Sequence, residues 1–293
     1  MTTTTHGDAP PSYEGRLLPD PSEPAWDQGL GFDIDTLVDR RRVLKLLGLA
    51  GLSGGLAAIV SCAPGASGSA SGSAAASSSA TACAVIPDET AGPFPGDGTN
   101  GPNMLTESGI VRSDITSSFG TSSTVAQGVP LTIKLAIQDL AAGCAALGGA
   151  AVYLWHCDRD GNYSLYSAGV ENENYLRGVQ EAGDDGIVTF TSIFPACYSG
   201  RWPHIHFEVY PTLDAANDAD ATIATSQVAL PEAICNEVYA TAGYEQSVQN
   251  MQQVSLTRDN VFGEDGGVRQ LGTISGSIDG GLTVELPVPV STS

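Results

Sequence analysis

The chain has 293 residues, of which 35 are glycine and 17 proline, and its formal net charge is −21 because 33 acidic side chains face 12 basic ones. A surface this acidic repels phosphate backbones, which argues against nucleic-acid binding. Abundant glycine and proline with few charges favour many short strands joined by tight turns in a single domain.

The first 61 residues resemble an export signal of the twin-arginine type. The run RRRVLK at 40–45 precedes an apolar, glycine-containing stretch at 46–60. This stretch is too short to span a bilayer comfortably and is typical of a signal peptide. The alternative is a buried helix behind an arbitrary basic cluster. We therefore assign 1–61 as a signal segment and expect the protein to be extracytoplasmic.

Cys62 ends the run IVSC, which is similar to a bacterial lipobox, where the cysteine becomes the lipidated first residue. Cys62 could instead follow an ordinary cleavage site or form a disulfide. Residues 62–82 are rich in Ser, Ala and Gly and predict a flexible tether, since they can bury almost nothing. A tether behind a lipid anchor would hold a folded domain, predicted over 83–293, away from the membrane.

Five further cysteines follow Cys62. They are Cys83, Cys144, Cys157, Cys197 and Cys235. An exported protein reaches an oxidising compartment in which disulfides form, but five cysteines leave at least one unpaired. Their pairing cannot be read from the sequence. None of them forms the C-x-x-C spacing typical of zinc sites, so the cysteines do not favour zinc.

Apolar residues, either alternating with polar or small ones or in a continuous aromatic-rich run, predict the strands. Leu131, Ile133, Leu135 and Ile137 recur at every second position, which indicates a strand with one buried face. The further predicted strands are 150–157, 187–193, 203–209 and 223–230.

A short helix and a hairpin follow these strands. Pro231 opens a predicted helix that runs to residue 239, because proline is tolerated in a first helical turn. The stretches 273–278 and 282–286 flank the run DGG, which is a hairpin signal. No long amphipathic helix or internal repeat is present in the sequence. We therefore predict an all-β fold, an antiparallel β-sandwich with long loops and a few short helices.

The run RWPHIHF at 201–207 is the strongest local feature. Alternate side chains of a strand share one face, so His204 and His206 point the same way while Ile205 and Phe207 enter the core. Two imidazoles side by side are a plausible metal pair. The alternative is two surface histidines on a solvated sheet face.

Other residues could complete a metal site. Glu208 is next on the same strand face, which leaves a site of two histidines and one carboxylate open, and His156 is the remaining histidine after the signal segment. Tyr163 and Tyr198 both lie in predicted turns at strand ends, where sites tend to be built. Core or surface packing is the usual role of any single tyrosine.

Five sequence motifs follow one another between residues 155 and 207. They are WHCDRDGNYS at 155–164, YLRGVQ at 175–180, DDGIVTF at 184–190, IFPACY at 193–198 and RWPHIHF at 201–207. Together they resemble the intradiol ring-cleavage dioxygenases, and most of all the exported branch related to the catechol and protocatechuate dioxygenases. The resemblance covers 84–290 and includes ETAGPFP at 89–95.

The resemblance implies roles for particular residues. The family's ligands to non-haem Fe(III) fall on Tyr163, Tyr198, His204 and His206. Its active-site arginine falls on Arg201 and its glutamine on Gln227, although the segment between His206 and Gln227 is longer than usual.

Two departures from the family's pattern matter. Ala196 and Cys197 replace the usual glycine before the second tyrosine, which puts the pocket wall in doubt. The helical dimerisation segment of catechol dioxygenases is missing, so their dimer mode is in doubt and the oligomeric state is open.

The resemblance implies an oxidoreductase that takes part in the catabolism of aromatic compounds. A catechol would chelate Fe(III) as a dianion, Tyr198 would leave the metal with one proton, and Tyr163 would stay bound. O2 would attack the ring, Arg201 would stabilise negative charge, and cleavage between the hydroxylated carbons would give a muconate-type diacid. The implied partners are thus a small aromatic diol and O2.

Two rival functions remain at this point. One is a non-catalytic descendant of the fold that binds aromatics or a surface partner. The other is a zinc- or ferrous-dependent enzyme that uses His204, His206 and a carboxylate. After residue 61 the chain keeps seven basic residues, and none is an evident partner for a substrate carboxylate. We therefore favour catechol or hydroxyquinol-like substrates over protocatechuate.

Overall fold

The structure, a computed structural model, describes residues 12–13, 16–17 and 83–292. The chain divides into two units, Met1–Ala82 and Cys83–Ser293. In the first unit, strands β1 (Ser12–Tyr13) and β2 (Arg16–Leu17) pair antiparallel. The predicted signal sequence motifs at 40–60, the lipobox at Cys62 and the tether at 62–82 lie outside the described residues.

The second unit is built mainly from strands. They are β3 (Pro130–Asp139), β4 (Ala145–Ala146), β5 (Ala151–Trp155), β6 (Arg177–Glu181), β7 (Ile187–Ile193), β8 (His204–Tyr210), β9 (Ala224–Ala229), β10 (Thr273–Ser277) and β11 (Gly281–Val290). Two helices, α1 (Glu232–Tyr239) and α2 (Glu245–Met251), follow β9. Short 3-10 helices occupy Asp214–Asn217, Ala219–Ala221, Leu256–Arg258 and Phe262–Glu264. Within the described residues, no helix is long and apolar enough to cross a membrane.

The first sheet has the strand order β10–β11–β3–β7, and β4 pairs with the end of β3. Its hydrogen-bonded neighbours are antiparallel except for β3 and β11, which run parallel with Ile133 opposite Val284. This one parallel pair departs from the purely antiparallel prediction. It is possible because β11 reaches β3 after a long excursion of the chain, whereas a hairpin would force antiparallel pairing.

The second sheet has the order β6–β5–β8–β9, and every neighbouring pair is antiparallel. Its inner face packs against the first sheet. Ile133, Phe190 and Val284 of the first sheet share one fully buried core with Ile205 and Phe207 of β8. Burying a side chain of this size contributes about 1.5–3 kcal/mol, which makes this core the main source of stability. The predicted β-sandwich is confirmed.

The second sheet is buried on its outer face as well. Every residue of β5 and of β8 is buried. On the outer face Tyr153, Trp155 and Tyr210 form a second apolar cluster, to which Met104 and Ile110 contribute from the irregular segment before β3. Polar groups on this face of β8 are therefore removed from water.

A disulfide joins the start of the domain to the turn after β3. It links Cys83 with Cys144, whose Cα atoms are 6.0 Å apart. Cys157, Cys197 and Cys235 are buried free thiols. The segment after Cys83 then runs from the first sheet to the second. The amide of Ile86 donates to the carbonyl of Pro289 in β11, and the amide of Glu89 donates to that of Thr225 in β9.

The five strands predicted between residues 131 and 230 are present, with ends shifted by up to two residues. Residues 131–137 lie in β3, 150–157 contain β5, and 187–193 are β7. The segments 203–209 and 223–230 are likewise β8 and β9, and the predicted helix starts after Pro231. Strand β6 and helix α2 are not evident from the sequence, because neither carries a clear apolar period over its 5 or 7 residues.

Candidate metal centre

A tight turn after β5 presents Tyr163. The Asp158 carboxylate caps this turn, because Oδ1 accepts hydrogen bonds of 2.9 Å from the amides of Asp160 and Asn162. Gly161 adopts a left-handed φ of 90° at the turn, a conformation that glycine reaches without steric cost. The sequence DRDGNY therefore encodes a rigid turn, and the turn aims Tyr163 back across the end of the sheet.

Tyr198 lies in the loop between β7 and β8, and this loop rests on the turn that carries Tyr163. The amide of Ala196 donates to the carbonyl of Asp158 at 3.1 Å. Helix α2 holds the loop from the other side. Ser247 Oγ accepts from the amide of Cys197 at 3.0 Å, and Asn250 Nδ2 donates to the Cys197 carbonyl at 2.9 Å. Tyr198 is thus fixed by its backbone neighbours.

His204 and His206 alternate along β8 and share the outer face of the second sheet. They are 2% and 3% exposed, so the alternative of two surface histidines is wrong. Nδ1 of His204 lies 2.6 Å from the Trp202 carbonyl oxygen, so Nδ1 carries the proton and Nε2 presents its lone pair. The ring of His206 stacks on Trp155, with centroids 5.0 Å apart and planes 5° apart.

The segment ETAGPFP covers His206 and Tyr163. A Cβ on Gly92 would lie 3.2 Å from Cε1 of His206, so the missing side chain lets the backbone close over the imidazole. Phe94 packs on Tyr163 with ring centroids 4.9 Å apart. The segment is held to β9, since Gln227 Nε2 donates to the Thr90 carbonyl at 3.0 Å.

Four donor atoms converge beneath this cover. Nε2 of His204 lies 3.0 Å from Nε2 of His206 and 3.2 Å from the Tyr198 oxygen. The Tyr163 oxygen lies 3.4 Å from the His204 nitrogen and 3.2 Å from the His206 nitrogen. Donors bound to one metal ion at about 2.1 Å are about 3.0–3.4 Å apart when they subtend about 90–110°. The four predicted ligands therefore have the spacing of a metal site.

The protonation of these groups also suits a metal. Burial lowers the pKa of His204 and of His206 well below the usual value, so both imidazoles are neutral, the form that binds metals. Burial raises the pKa of Tyr198 to about 12 and raises that of Tyr163 well above its usual value. A trivalent cation would favour the phenolates and reverse this shift. Two phenolic oxygens and two imidazoles fit Fe(III).

The carboxylate alternative has weaker support. Glu208 is buried, and its Oε2 accepts a 2.8 Å hydrogen bond from Tyr210 instead of joining the four donors. His156 is also occupied, because its two nitrogens lie 2.7 Å from the Cys157 carbonyl and from Ser192 Oγ. Among residues 83–292, no three His, Cys, Asp or Glu side chains form a group that could hold a metal ion.

Arg201 and Gln227, to which the resemblance assigns active-site roles, lie beside the four donors. Nη1 of Arg201 is 3.5 Å from Nε2 of His204, and Nη2 donates to Oε1 of Gln227 at 2.7 Å. Gln227 reaches this position because β8 and β9 pair with His206 opposite Gln227. The longer segment between the two residues does not displace it.

Two residues of the site are not apparent from the sequence. Asp259 binds Arg201 from the other side through a 3.0 Å contact between Oδ2 and Nε. Gly92 lies against His206. No local pattern marks Asp259, since it lies between short 3-10 turns. The motif around Gly92 was seen, but only the folded chain shows what this glycine touches.

The fold and the comparisons define a class: the domain has the fold of the intradiol ring-cleavage dioxygenases. It is similar to the solved intradiol ring-cleavage dioxygenase from Tetranychus urticae, with 23% identity and a TM-score of 0.57 over 71% of this chain and 95% of that chain. A second solved dioxygenase matches over the same shares of both chains with a TM-score of 0.56 and 23% identity. Identity at this level shows the fold alone.

A sequence comparison points the same way over a shorter stretch. A chlorocatechol 1,2-dioxygenase from Rhodococcus opacus is 40% identical over 50 residues, which is 17% of this chain. The match spans 20% of the length of that relative. No family model matches the chain.

Proposed function

We propose that this chain is a non-haem Fe(III)-dependent dioxygenase that cleaves catechol-type rings between their two hydroxylated carbons. One observation carries the proposal: the donor atoms of Tyr163, Tyr198, His204 and His206 lie 3.0–3.4 Å from their neighbours in one cluster. The fold shared with intradiol ring-cleavage dioxygenases supports the same reaction class.

Tyr163 and Tyr198 would hold the ion through their phenolic oxygens, and His204 and His206 through Nε2. When bound, Fe(III) would supply a Lewis acid that the two diol oxygens can chelate and that accepts electron density from the diolate, which would make a ring carbon reactive towards O2. Two phenolates offset most of the charge of a trivalent ion. The site can therefore remain in its partly apolar surroundings.

The two tyrosines would act differently, because their surroundings differ. Tyr163 is buried between Phe94 and the sheet, whereas Tyr198 is only partly buried. Tyr198 is thus the phenolate that an entering diol can reach, and its oxygen accepts one substrate proton. Tyr163 stays in place and, with the two histidines, holds the site together.

Arg201 would stabilise the negative charge that develops on the ring. Its Nη1 faces the donor cluster, 3.5 Å from His204 Nε2, and it lies in a site from which water is largely excluded. A prearranged donor in such a site contributes about 3–4 kcal/mol to transition-state stabilisation. Gln227 supports Arg201 through the 2.7 Å hydrogen bond to Nη2.

The reaction is balanced without an external reductant. The bond between the two hydroxylated carbons breaks, and both atoms of O2 end in the product. The protons taken from the diol return to the two new carboxyl groups. The product is therefore a muconate-type diacid, and the substrates are an aromatic diol and O2.

Metal analysis, visible absorption and O2 uptake test the proposal on the purified full chain. We expect bound iron, a burgundy colour from ferric tyrosinate, and O2 uptake with catechol. Tyr163→Phe and His206→Ala should lose colour and activity. Tyr166→Phe is the matched control, since Tyr166 lies three residues beyond Tyr163 and its hydroxyl donates to the Asn100 carbonyl instead.

Each rival function predicts another result. Iron, colour and diol binding without O2 uptake would indicate the non-catalytic descendant. Zinc, or ferrous iron without a tyrosinate band, would indicate the enzyme with two histidines and a carboxylate. A colourless wild-type protein that is replete with iron would contradict the ligand set.

We also propose that the protein is exported by the twin-arginine route and anchored by a lipid at Cys62. The support is the sequence at 40–62 alone. Replacing Arg40 and Arg41 with lysine should leave the precursor in the cytoplasm. Cys62→Ala should abolish incorporation of labelled palmitate and release the domain from the membrane. Export with unchanged membrane retention in Cys62→Ala would contradict the anchor.

A further inference from the structure

Asp259 is a buried carboxylate next to the donor cluster. Its side chain is 0% exposed, and it accepts from Arg201 twice, 3.0 Å from Nε to Oδ2 and 3.4 Å from Nη2 to Oδ1. It also accepts from the amides of Trp202 at 2.7 Å, Val261 at 2.9 Å and Phe262 at 3.1 Å. These contacts join the 3-10 turns after α2 to the loop that leads into β8.

Asp259 and Gln227 together fix the guanidinium of Arg201. Asp259 takes Nε and shares Nη2 with Gln227, whose Oε1 lies 2.7 Å from Nη2. Nη1 remains, and it points to Nε2 of His204 at 3.5 Å. A planar guanidinium held along one edge by a carboxylate has little rotational freedom. The direction of Nη1 is thus set by Asp259.

The same contact balances the charge beside the site. Arg201 is the one basic side chain within residues 83–292 that reaches the donor cluster. Arg177 is buried nearby but donates to oxygens of Pro95, Tyr153 and Ser164. Any substrate carboxylate that approached Arg201 would meet an arginine that is already paired, so the cost of removing that carboxylate from water would not be compensated.

We propose that Asp259 is a positioning residue that fixes Arg201 and offsets its charge, so that the site selects catechols whose ring carries no carboxylate. This inference rests on the proposed function. It adds a substrate class and a residue through which that class is selected.

Anaerobic titration of the ferric protein, followed optically, measures the selection directly. The probes are catechol and 3,4-dihydroxybenzoate. We expect the wild type to bind catechol more tightly by at least about tenfold. In Asp259→Asn, the ratio of the two Kd values should fall by about tenfold, because Arg201 is left with an uncompensated charge. Equal affinities in the wild type, or an unchanged ratio in the variant, would overturn the proposal.

Asp265→Asn is the matched control. Asp265 also pairs with an arginine, at 3.7 Å from Nε of Arg269, and it also accepts from a backbone amide, that of Gly267. Both partners of this pair are partly exposed and lie outside the donor cluster. The ratio of the two affinities should not change in this variant.

A double-mutant cycle separates positioning from a purely structural role. If Asp259 acts through Arg201, Asp259→Asn should lower kcat for catechol by about 10²-fold when Arg201 is present. In the Arg201→Gln background it should have little further effect. Equal effects in both backgrounds would mean that Asp259 only anchors the turns, which would overturn the proposal.

Separate measurements distinguish a failure of this inference from misfolding of the variant and from a failure of the proposed function. Should Asp259→Asn alone fail to fold, the wild-type affinity ratio still tests the selection, and Arg201→Gln/Asp259→Asn leaves no buried charge unpaired. Absence of iron or of O2 uptake in the wild type would contradict the proposed function. Normal iron content and colour in Asp259→Asn with an unchanged ratio would contradict this inference alone.

Discussion

Gly161 and Tyr198 belong to different loops, and their backbones lie against each other at the donor cluster. A Cβ on Gly161 would lie 3.2 Å from the Cβ of Tyr198. Gly161 also has a φ of 90°, which a residue with a side chain rarely adopts. The glycine therefore sets both the shape of the turn that carries Tyr163 and the approach of Tyr198.

Gly161→Ala should destabilise the domain by about 1–3 kcal/mol and should also shift the tyrosinate absorption band, because Tyr198 must move. Gly169→Ala is the control, since Gly169 has a φ of 89° but a Cβ there would meet nothing within 4 Å. Urea unfolding and visible spectra would be compared. Loss of stability in both variants with a shifted band only in Gly161→Ala is the expected result. Identical spectra would show that the contact does not position Tyr198.

Arg177 should hold the Tyr163 loop. It is 1% exposed, and it donates to Ser164 Oγ at 3.1 Å, to the Ser164 carbonyl at 2.9 Å and to the Pro95 carbonyl at 2.7 Å. Lysine cannot reproduce these hydrogen bonds, because its ammonium group lacks the planar, forked set of donors of a guanidinium. We expect Arg177→Lys to lower the free energy of unfolding by about 2–4 kcal/mol and to weaken iron retention.

The control for this prediction is Arg269→Lys. Arg269 donates to the Val85 carbonyl at 2.7 Å, but it lies at the surface. This variant should change the free energy of unfolding by less than about 0.5 kcal/mol. Similar losses in both variants would show that the buried network around Arg177 contributes nothing special.

The stability should fall in mild acid because of His156. Burial lowers its pKa to about 4 from an ordinary value of 6.5. Below pH 6.5 the unfolded chain binds a proton that the folded chain does not bind until about pH 4. Stability is therefore lost as the pH falls through this window, by about 3 kcal/mol in total at about 1.4 kcal/mol per pH unit.

His156→Gln isolates this contribution, because the amide can still bond the Cys157 carbonyl and Ser192 Oγ but does not titrate. Urea unfolding between pH 4 and pH 7 would be measured for both proteins at the same iron loading. The variant should show a shallower loss of stability. Parallel curves would contradict the assignment to His156.

The Cys83–Cys144 disulfide should stabilise the domain through the unfolded state. It closes a loop with a sequence separation of 61 residues. The loop-entropy relation gives about 4 kcal/mol for this length. Dithiothreitol should lower the urea midpoint of the wild type accordingly. Cys83→Ser/Cys144→Ser should begin at the lower midpoint and show no response to reductant, and a reductant-sensitive double variant would contradict the pairing.

Local patterns in the sequence contained much of the fold and the candidate ligands. Alternation at every second residue marked β3 and β7, because the side-chain period of a strand is a property of its own backbone. The same period placed His204 and His206 on one face. The motif order then gave Tyr163 and Tyr198 through resemblance, since spacing alone left a carboxylate ligand open.

Only the tertiary structure decided the rest. It paired Cys83 with Cys144, set β11 parallel to β3, and brought Asp259 to Arg201 across 58 residues. It also covered the outer face of β8, which turns two alternating histidines into a buried site. These features depend on contacts between segments distant in the chain. No repeating pattern in the sequence indicates these features, because the partner of each residue is fixed only when the sheets and their covering segments pack.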